Sequence, residues 1–267
     1  MTTYHHITVT YSYQDRIATV TLRRAAVHNA LNTQLIQDLT TAFTTLSSDE
    51  RLHGVILTGE GPSFSTGADI VMMQEATTLT AEQNFTEALR VADLFETINT
   101  FPCPVIARVN GTAMGGGVGL VAVCDIAIAA ETVRFALSEV KLGVAPAVIS
   151  PYVISKIGES YARVLFTTGE RFSATRAHTI GLVHAVVPPD KLDDAVGKAV
   201  QELLSSAPQA LRACKKLALT VGQMSHEDAR RYTAETLAQL RTSAEGQEGL
   251  RAFLEKRKPG WITASHS

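Results

Sequence analysis

The sequence has few cysteines, almost no net charge and no long apolar run. Its three cysteines form no CxxC pair, which excludes a disulfide scaffold and is typical of a reducing compartment. A formal net charge of −2 argues against nucleic acid as a partner, because phosphate binding leaves a basic footprint. No segment approaches the roughly 20 apolar residues that span a bilayer, and no secretory signal is visible. We therefore expect a cytoplasmic protein that binds neither nucleic acid nor membrane.

The histidines and serines exclude two further kinds of site. None of the eight histidines forms an HxxxH pair or a His/Asp cluster with metal spacing, so we expect no metal. No GxSxG motif is present, and neither Ser65 nor Ser138 has a nearby histidine for a catalytic triad.

Strand and helix patterns alternate along the first part of the chain. The segments 54–59 and 105–109 are short apolar runs typical of buried strands, and a helical pattern covers 81–99 between them. Such alternation predicts crossover units and a mainly parallel sheet. After about Pro189 the patterns are almost all helical. The sequence therefore predicts an α/β core over 1–188 and a helical region over 189–267.

Five of the 18 glycines lie within residues 111–119, between a predicted strand and an apolar helical stretch. Free N–H groups at the start of a helix can hold an oxyanion or a phosphate. The spacing fits neither the GxGxxG fingerprint nor the P-loop. On its own, the cluster is equally consistent with a helix packed tightly against the sheet.

A second loop, 64–70, follows the strand at 54–59. Phe64 would anchor it in the core, and Gly67 would allow an unusual turn that points the Ala68 N–H into a cavity. Asp69 would cap the helix that follows. Taken alone, this loop is a capped turn.

Together, these segments resemble the crotonase superfamily, also called the enoyl-CoA hydratase/isomerase family. The resemblance covers nearly the whole chain. The matching segments, in chain order, are 29–32, 64–70, 110–119, 124–126, 135–143, 169–172, 181–183 and 253–257.

The resemblance implies a spiral of ββα units, a helical C-terminal region that forms trimers, and trimers that often pair into hexamers. It implies an acyl-CoA substrate, with coenzyme A present as part of the thioester and no permanently bound cofactor. The Ala68 and Gly116 N–H groups would stabilise the enolate oxygen. The substrate-binding residues that the resemblance implies are Ala68, Asp69, Ile70, Gly115, Gly116 and Gly119.

Glu139 is the candidate acid–base residue. Its apolar neighbours Val140, Leu142 and Val144 would raise its pKa and allow proton transfer near neutral pH. The resemblance places here the glutamate shared by hydratases and isomerases.

Gly119 stands where a two-glutamate hydratase carries its other carboxylate. Three mechanisms therefore remain open: hydration with Glu139 alone, isomerisation of an enoyl-CoA, or decarboxylation of a malonyl-type ester. A non-catalytic acyl-CoA binder is a further alternative, although a pure binder needs no buried carboxylate.

The segment 147–152 and the GGGxGL pattern resemble the methylglutaconyl-CoA hydratase branch. This favours a lyase that hydrates a branched or carboxylated enoyl-CoA, in fatty-acid or branched-chain acyl metabolism. Gly119 is then expected to leave room for a bulkier acyl group or a water.

The resemblance also implies a set of CoA contacts. A Phe and a Lys of the last helix would approach the CoA of a neighbouring subunit, and the loop before residue 30 would line its nucleotide through the backbone. The residues at these positions are Arg24, Val27, His28, Ala30, Phe253 and Lys256.

Overall fold

The computed structural model describes residues 1–262. The predicted helical region therefore extends five residues beyond the described part. The strands are β1 (Thr2–Thr3), β2 (Ile7–Ser12), β3 (Ile17–Leu22), β4 (Gly54–Gly59), β5 (Ser63–Ser65), β6 (Val105–Val109), β7 (Thr112–Met114), β8 (Ile126–Ala130), β9 (Arg134–Ala136), β10 (Arg171–Ser173) and β11 (Ala185–Val187). The α-helices are α1 (Thr33–Ser47), α2 (Ile70–Ala76), α3 (Ala81–Asn99), α4 (Gly116–Ala122), α5 (Ser150–Thr168), α6 (Ala174–Thr179), α7 (Leu192–Ser205), α8 (Pro208–Thr220), α9 (His226–Thr242) and α10 (Ala244–Leu254).

The larger sheet has seven strands in the order β1-β2-β3-β4-β6-β8-β11. The β2–β3 hairpin is antiparallel, and the strands from β3 to β11 pair in parallel. This confirms the predicted parallel sheet. The strands predicted at 54–59 and 105–109 and the helix predicted at 81–99 have the bounds expected from the apolar patterns.

A smaller sheet of four strands, in the order β10-β9-β7-β5, accompanies it. Three successive units each send one strand to the large sheet, the next to the small sheet, and then continue into a helix: β4-β5-α2, β6-β7-α4 and β8-β9-α5. This is the predicted ββα arrangement. Strands β5, β7 and β9 are parallel neighbours, so their carboxyl ends meet at one edge.

The hydrophobic core is continuous from the sheets into α7, whose buried side chains Leu192, Val196 and Val200 belong to it. Helix α9 contributes no buried residue. Helix α10 buries Ala252 but exposes Leu250, Phe253 and Leu254. Within residues 1–262, no helix is both long enough and apolar enough to cross a membrane.

Candidate active site

A cavity of about 640 Å³ lies beside the carboxyl ends of β5, β7 and β9, under α2 and α3. This volume is ordinary for a site that holds a small molecule. Most of its wall is apolar. The apolar side chains that line it include Leu31, Ile36, Met72, Met73, Leu79, Val91, Phe95, Met114, Leu142, Val148 and Ile149. Such a wall suits an acyl chain because it removes hydrocarbon from water.

Gly67 brings the loop after β5 against the loop after β7. It has a φ of +83°, and a Cβ there would lie 2.8 Å from the Met114 carbonyl oxygen and 3.1 Å from the Gly116 nitrogen. A side chain would therefore separate the two loops. Glycine allows Ala68 and Gly116 to line the same cavity.

The N–H groups of Ala68 and Gly116 are available to a ligand. Leu31 pairs with the backbone on either side of Ala68: its N–H donates to the Gly67 carbonyl at 2.7 Å and its carbonyl accepts from Asp69 at 2.9 Å. In this isolated bridge the Ala68 N–H does not donate to Leu31 and points away from it. Gly116 is the first residue of α4, where an N–H has no partner within the helix. Two donors at one cavity wall can stabilise a developing oxyanion.

Asp69 holds the first donor loop in place. Its carboxylate accepts from the Val71 N–H at 2.8 Å, which is the predicted helix cap, and from Arg24 Nη1 at 2.8 Å. Burial alone raises the pKa of Asp69, but the Val71 N–H and the Arg24 guanidinium outweigh it and lower the pKa. Arg24 also donates to the Ala30 carbonyl. The Asp69 and Arg24 side chains therefore pair with each other.

Glu139 begins the turn that follows β9, and its carboxylate faces Gly115. A Cβ on Gly115 would lie 3.0 Å from Glu139 Oε1. The other oxygen, Oε2, is buried and has no hydrogen-bond partner within residues 1–262. Burial raises the pKa of Glu139. The Gly115 N–H donates to the Ala136 carbonyl at 2.9 Å, which ties the glycine loop to the strand before Glu139. A half-buried carboxylate with one oxygen free of hydrogen bonds can exchange a proton with a ligand.

The packing around Gly119 contradicts one expectation. A Cβ there would lie 2.3 Å from Ile149 Cγ2 and 2.9 Å from Phe95 Cε1. The expectation that Gly119 leaves room for a bulkier acyl group or a water is therefore wrong, because these two side chains fill that space. Ile149 and Phe95 line the cavity, and Gly119 lies buried behind them.

The other predicted contacts lie at several places around the cavity. Ile70, the first residue of α2, is 71% exposed and does not line it. Ala30 is buried, whereas Val27 and His28 are exposed. The His28 ring Nδ1 lies 2.9 Å from Ser63 Oγ.

Phe253, on α10, is 81% exposed. Lys256 is also exposed but lies after the end of α10 at Leu254, so the expectation that it belongs to the last helix is wrong. The neighbouring Arg257 is paired with Glu248 and Glu255, so it is less available than Lys256 to an anion.

Several wall residues were not identified from the sequence. Ile36, Val91 and Phe95 belong to the apolar stripes of their helices. In a sequence, such positions look the same whether they face the core or a cavity. Met72, Met73, Met114 and Ile149 also line the cavity, whereas Phe85, Val118 and Tyr152 do not. In residues 1–262 no three His, Cys, Asp or Glu side chains group as metal ligands.

The enoyl-CoA hydratase/isomerase family model matches residues 12–264. The chain belongs to this family. It is 33% identical over 252 residues to a crotonyl-CoA hydratase of Syntrophomonas wolfei, covering 94% of this chain and 96% of that protein. It is 36% identical over 248 residues to an enoyl-CoA hydratase of Alternaria alternata, covering 90% and 78%.

Solved structures of the family share the fold. An enoyl-CoA hydratase from Shewanella pealeana superposes with a TM-score of 0.92 at 37% identity, covering 97% of this chain and 96% of that chain. The family match agrees with a cavity that holds two backbone N–H donors and the half-buried Glu139.

Proposed function

We propose that the protein hydrates the α,β double bond of an enoyl-CoA thioester, with Glu139 as its acid–base group. The observation that carries the proposal is the position of Glu139, whose buried Oε2 has no hydrogen-bond partner within residues 1–262, in the same cavity as the Ala68 and Gly116 N–H groups. The thioester oxygen accepts hydrogen bonds from the two N–H groups. The ionised Glu139 takes a proton from water, and the resulting hydroxide adds to C3. The enolate then takes that proton from Glu139 at C2.

The cavity supports an apolar acyl group, straight or branched. Its wall contains Glu75, Glu87 and Glu139 but, among the described residues, no Lys, Arg or His. A carboxylate on the acyl group would therefore lack a cationic partner and meet like charge. Of the two predicted substrate types, the branched acyl group fits this wall better than the carboxylated one.

The packing at Gly119 also favours a second candidate, double-bond isomerisation. Ile149 occupies the space that a second carboxylate would need. One carboxylate is enough to move a proton between C2 and C4.

Turnover of a small ester panel tests both candidates. We expect Glu139→Gln to lower the rate by about 10²- to 10⁴-fold, the usual contribution of a general acid–base group. Glu75→Gln, in the same cavity wall, is the matched control. A 3-hydroxyacyl product supports hydration, and a shifted double bond supports isomerisation. Full activity of Glu139→Gln would overturn both proposals.

We also propose that the region after residue 188 forms a trimer, or a dimer of trimers, and that Phe253 and Lys256 reach the CoA of a neighbouring subunit. The exposure of Phe253 and Leu254, at 81% and 77%, supports this, because large exposed apolar side chains on one helix often mark an interface. The molar mass in solution tests the assembly.

We propose that the loop from Arg24 to Ala30 binds the nucleotide part of CoA. Arg24 would keep that loop in shape through Asp69 and the Ala30 carbonyl.

A further inference from the structure

A second cleft, of about 270 Å³, lies between α1 and α3. It shares Thr33, Ile36 and Glu87 with the main cavity. The two spaces therefore adjoin at these three residues. The cleft has its own polar lining, formed by Gln37, Thr40, Arg90 and Asp93.

The polar groups of the cleft retain both donors and acceptors for a ligand. Arg90 uses Nη1 to pair with Glu87, and its other guanidinium N–H groups have no acceptor within the described residues. The Gln37 amide donates to Thr41 Oγ1 at 3.1 Å, which leaves its carbonyl oxygen free to accept. The Asp93 carboxylate likewise has no hydrogen-bond donor in residues 1–262.

The charges decide which ligand group fits. Glu87 already pairs with Arg90, and Asp93 adds a further negative charge. A second carboxylate would therefore be repelled. A methyl group would displace water from these groups without replacing its hydrogen bonds. A hydroxyl group both donates and accepts, so it can use the Arg90 N–H and a neighbouring oxygen together.

We propose that this cleft is a subsite for a hydroxyl group at the far end of the acyl chain. The substrate class is then an enoyl-CoA thioester with an apolar chain and a polar, uncharged tail. The inference rests on the proposed function, since it needs the acyl chain in the main cavity. Arg90 would be its specificity-determining residue.

Binding of unreactive saturated acyl-CoA esters tests the subsite separately from catalysis. Esters of increasing chain length, each ending in a methyl, hydroxyl or carboxylate group, are titrated by calorimetry. We expect the hydroxyl ester to bind about threefold to tenfold more tightly than the methyl ester once the chain is long enough, the effect of one hydrogen bond at an exposed site. The shortest esters should show no difference.

Arg90→Gln should remove this preference. Arg163→Gln is the matched control, because Arg163 also pairs with a glutamate along a helix but lies on α5. Equal affinities of long methyl and hydroxyl esters, or a preference that survives Arg90→Gln, would overturn the proposal. Tighter binding of the carboxylate ester would overturn the choice of an uncharged group. If the esters bind as expected but enoyl esters are neither hydrated nor isomerised, only the proposed function fails.

Discussion

Gly115 controls how close the glycine loop can come to Glu139. It has a φ of +48°, and a Cβ would lie 3.0 Å from the carboxylate. We expect Gly115→Ala to lower turnover at least about tenfold, because it displaces the acid–base group from its productive geometry. Steady-state kinetics of the folded variant measure the loss.

Gly158→Ala is the control for backbone strain. Gly158 has a φ of +73°, but a Cβ there meets nothing within 4 Å. Both variants should lose roughly 1–3 kcal/mol of stability from the unfavourable φ, and only Gly115→Ala should lose activity. If the two variants are equally active, a side chain at Gly115 does not displace the Glu139 carboxylate.

The raised pKa of Glu139 predicts the acid side of the pH–rate profile. Burial disfavours the charged form, and the ionised form is the base that activates water. We expect kcat/KM to fall with decreasing pH, with an apparent pKa above the ordinary value of 4.5. An acid limb at or below 4.5 would mean that a different group controls the rate.

At the scale of one helix, α4 packs so closely against Ile149 that a side chain at Gly119 has no room. In Gly119→Glu, the new Cβ would overlap Ile149 and the carboxylate would be buried. We expect the free energy of unfolding to fall by at least about 2 kcal/mol, from overpacking and burial of a charge. Chemical denaturation measures this change.

The double variant Gly119→Glu/Ile149→Ala separates the overlap from other effects. If Ile149 fills the space, Gly119→Glu should cost less stability in the Ile149→Ala background than in the wild type. If the losses of the two single variants simply add in the double variant, the overlap with Ile149 is not the cause of the lost stability.

The wall formed by α2 and α3 depends on Asn84. The two N–H groups of its side-chain amide are shared among the carbonyls of Ala76, Leu79 and Thr80, which lie 3.1–3.3 Å from Nδ2. We expect Asn84→Ala to raise KM several-fold with a smaller change in kcat, because the wall contacts the acyl chain and not the reacting atoms. Gln83→Ala is the control, since Gln83 caps the same helix but does not line the cavity. Equal KM values would contradict the role of Asn84.

For the whole molecule, the sequence predicted the parts that local residue types specify. Glycines, a helix cap and one carboxylate among apolar residues define the loops at Gly67, Gly116 and Glu139. Strands β5, β7 and β10 of the small sheet were not predicted from the residue pattern, because each has three residues, too few for a periodic pattern. The filling of the space at Gly119 by Ile149 depends on contact between distant segments, so no local pattern reports it.

Stability of the whole molecule should depend on pH through His53. Its Nδ1 lies 3.1 Å from the Arg51 carbonyl, and its buried Nε2 has no partner in residues 1–262. Burial is the main cause that lowers the pKa of His53 below 6.5. The unfolded chain therefore takes up this proton more readily than the folded one, and stability is lost as pH falls below 6.5 towards the folded-state pKa.

His53→Gln should make the free energy of unfolding less dependent on pH in this range, as measured by urea unfolding at a series of pH values. Burial also lowers the pKa of His184, so part of the slope should remain. His226→Gln is the control for the histidine-to-glutamine change itself, because His226 is exposed at the start of α9. If the free energy of unfolding of His53→Gln depends on pH as strongly as that of the wild type, then groups other than His53 cause the dependence.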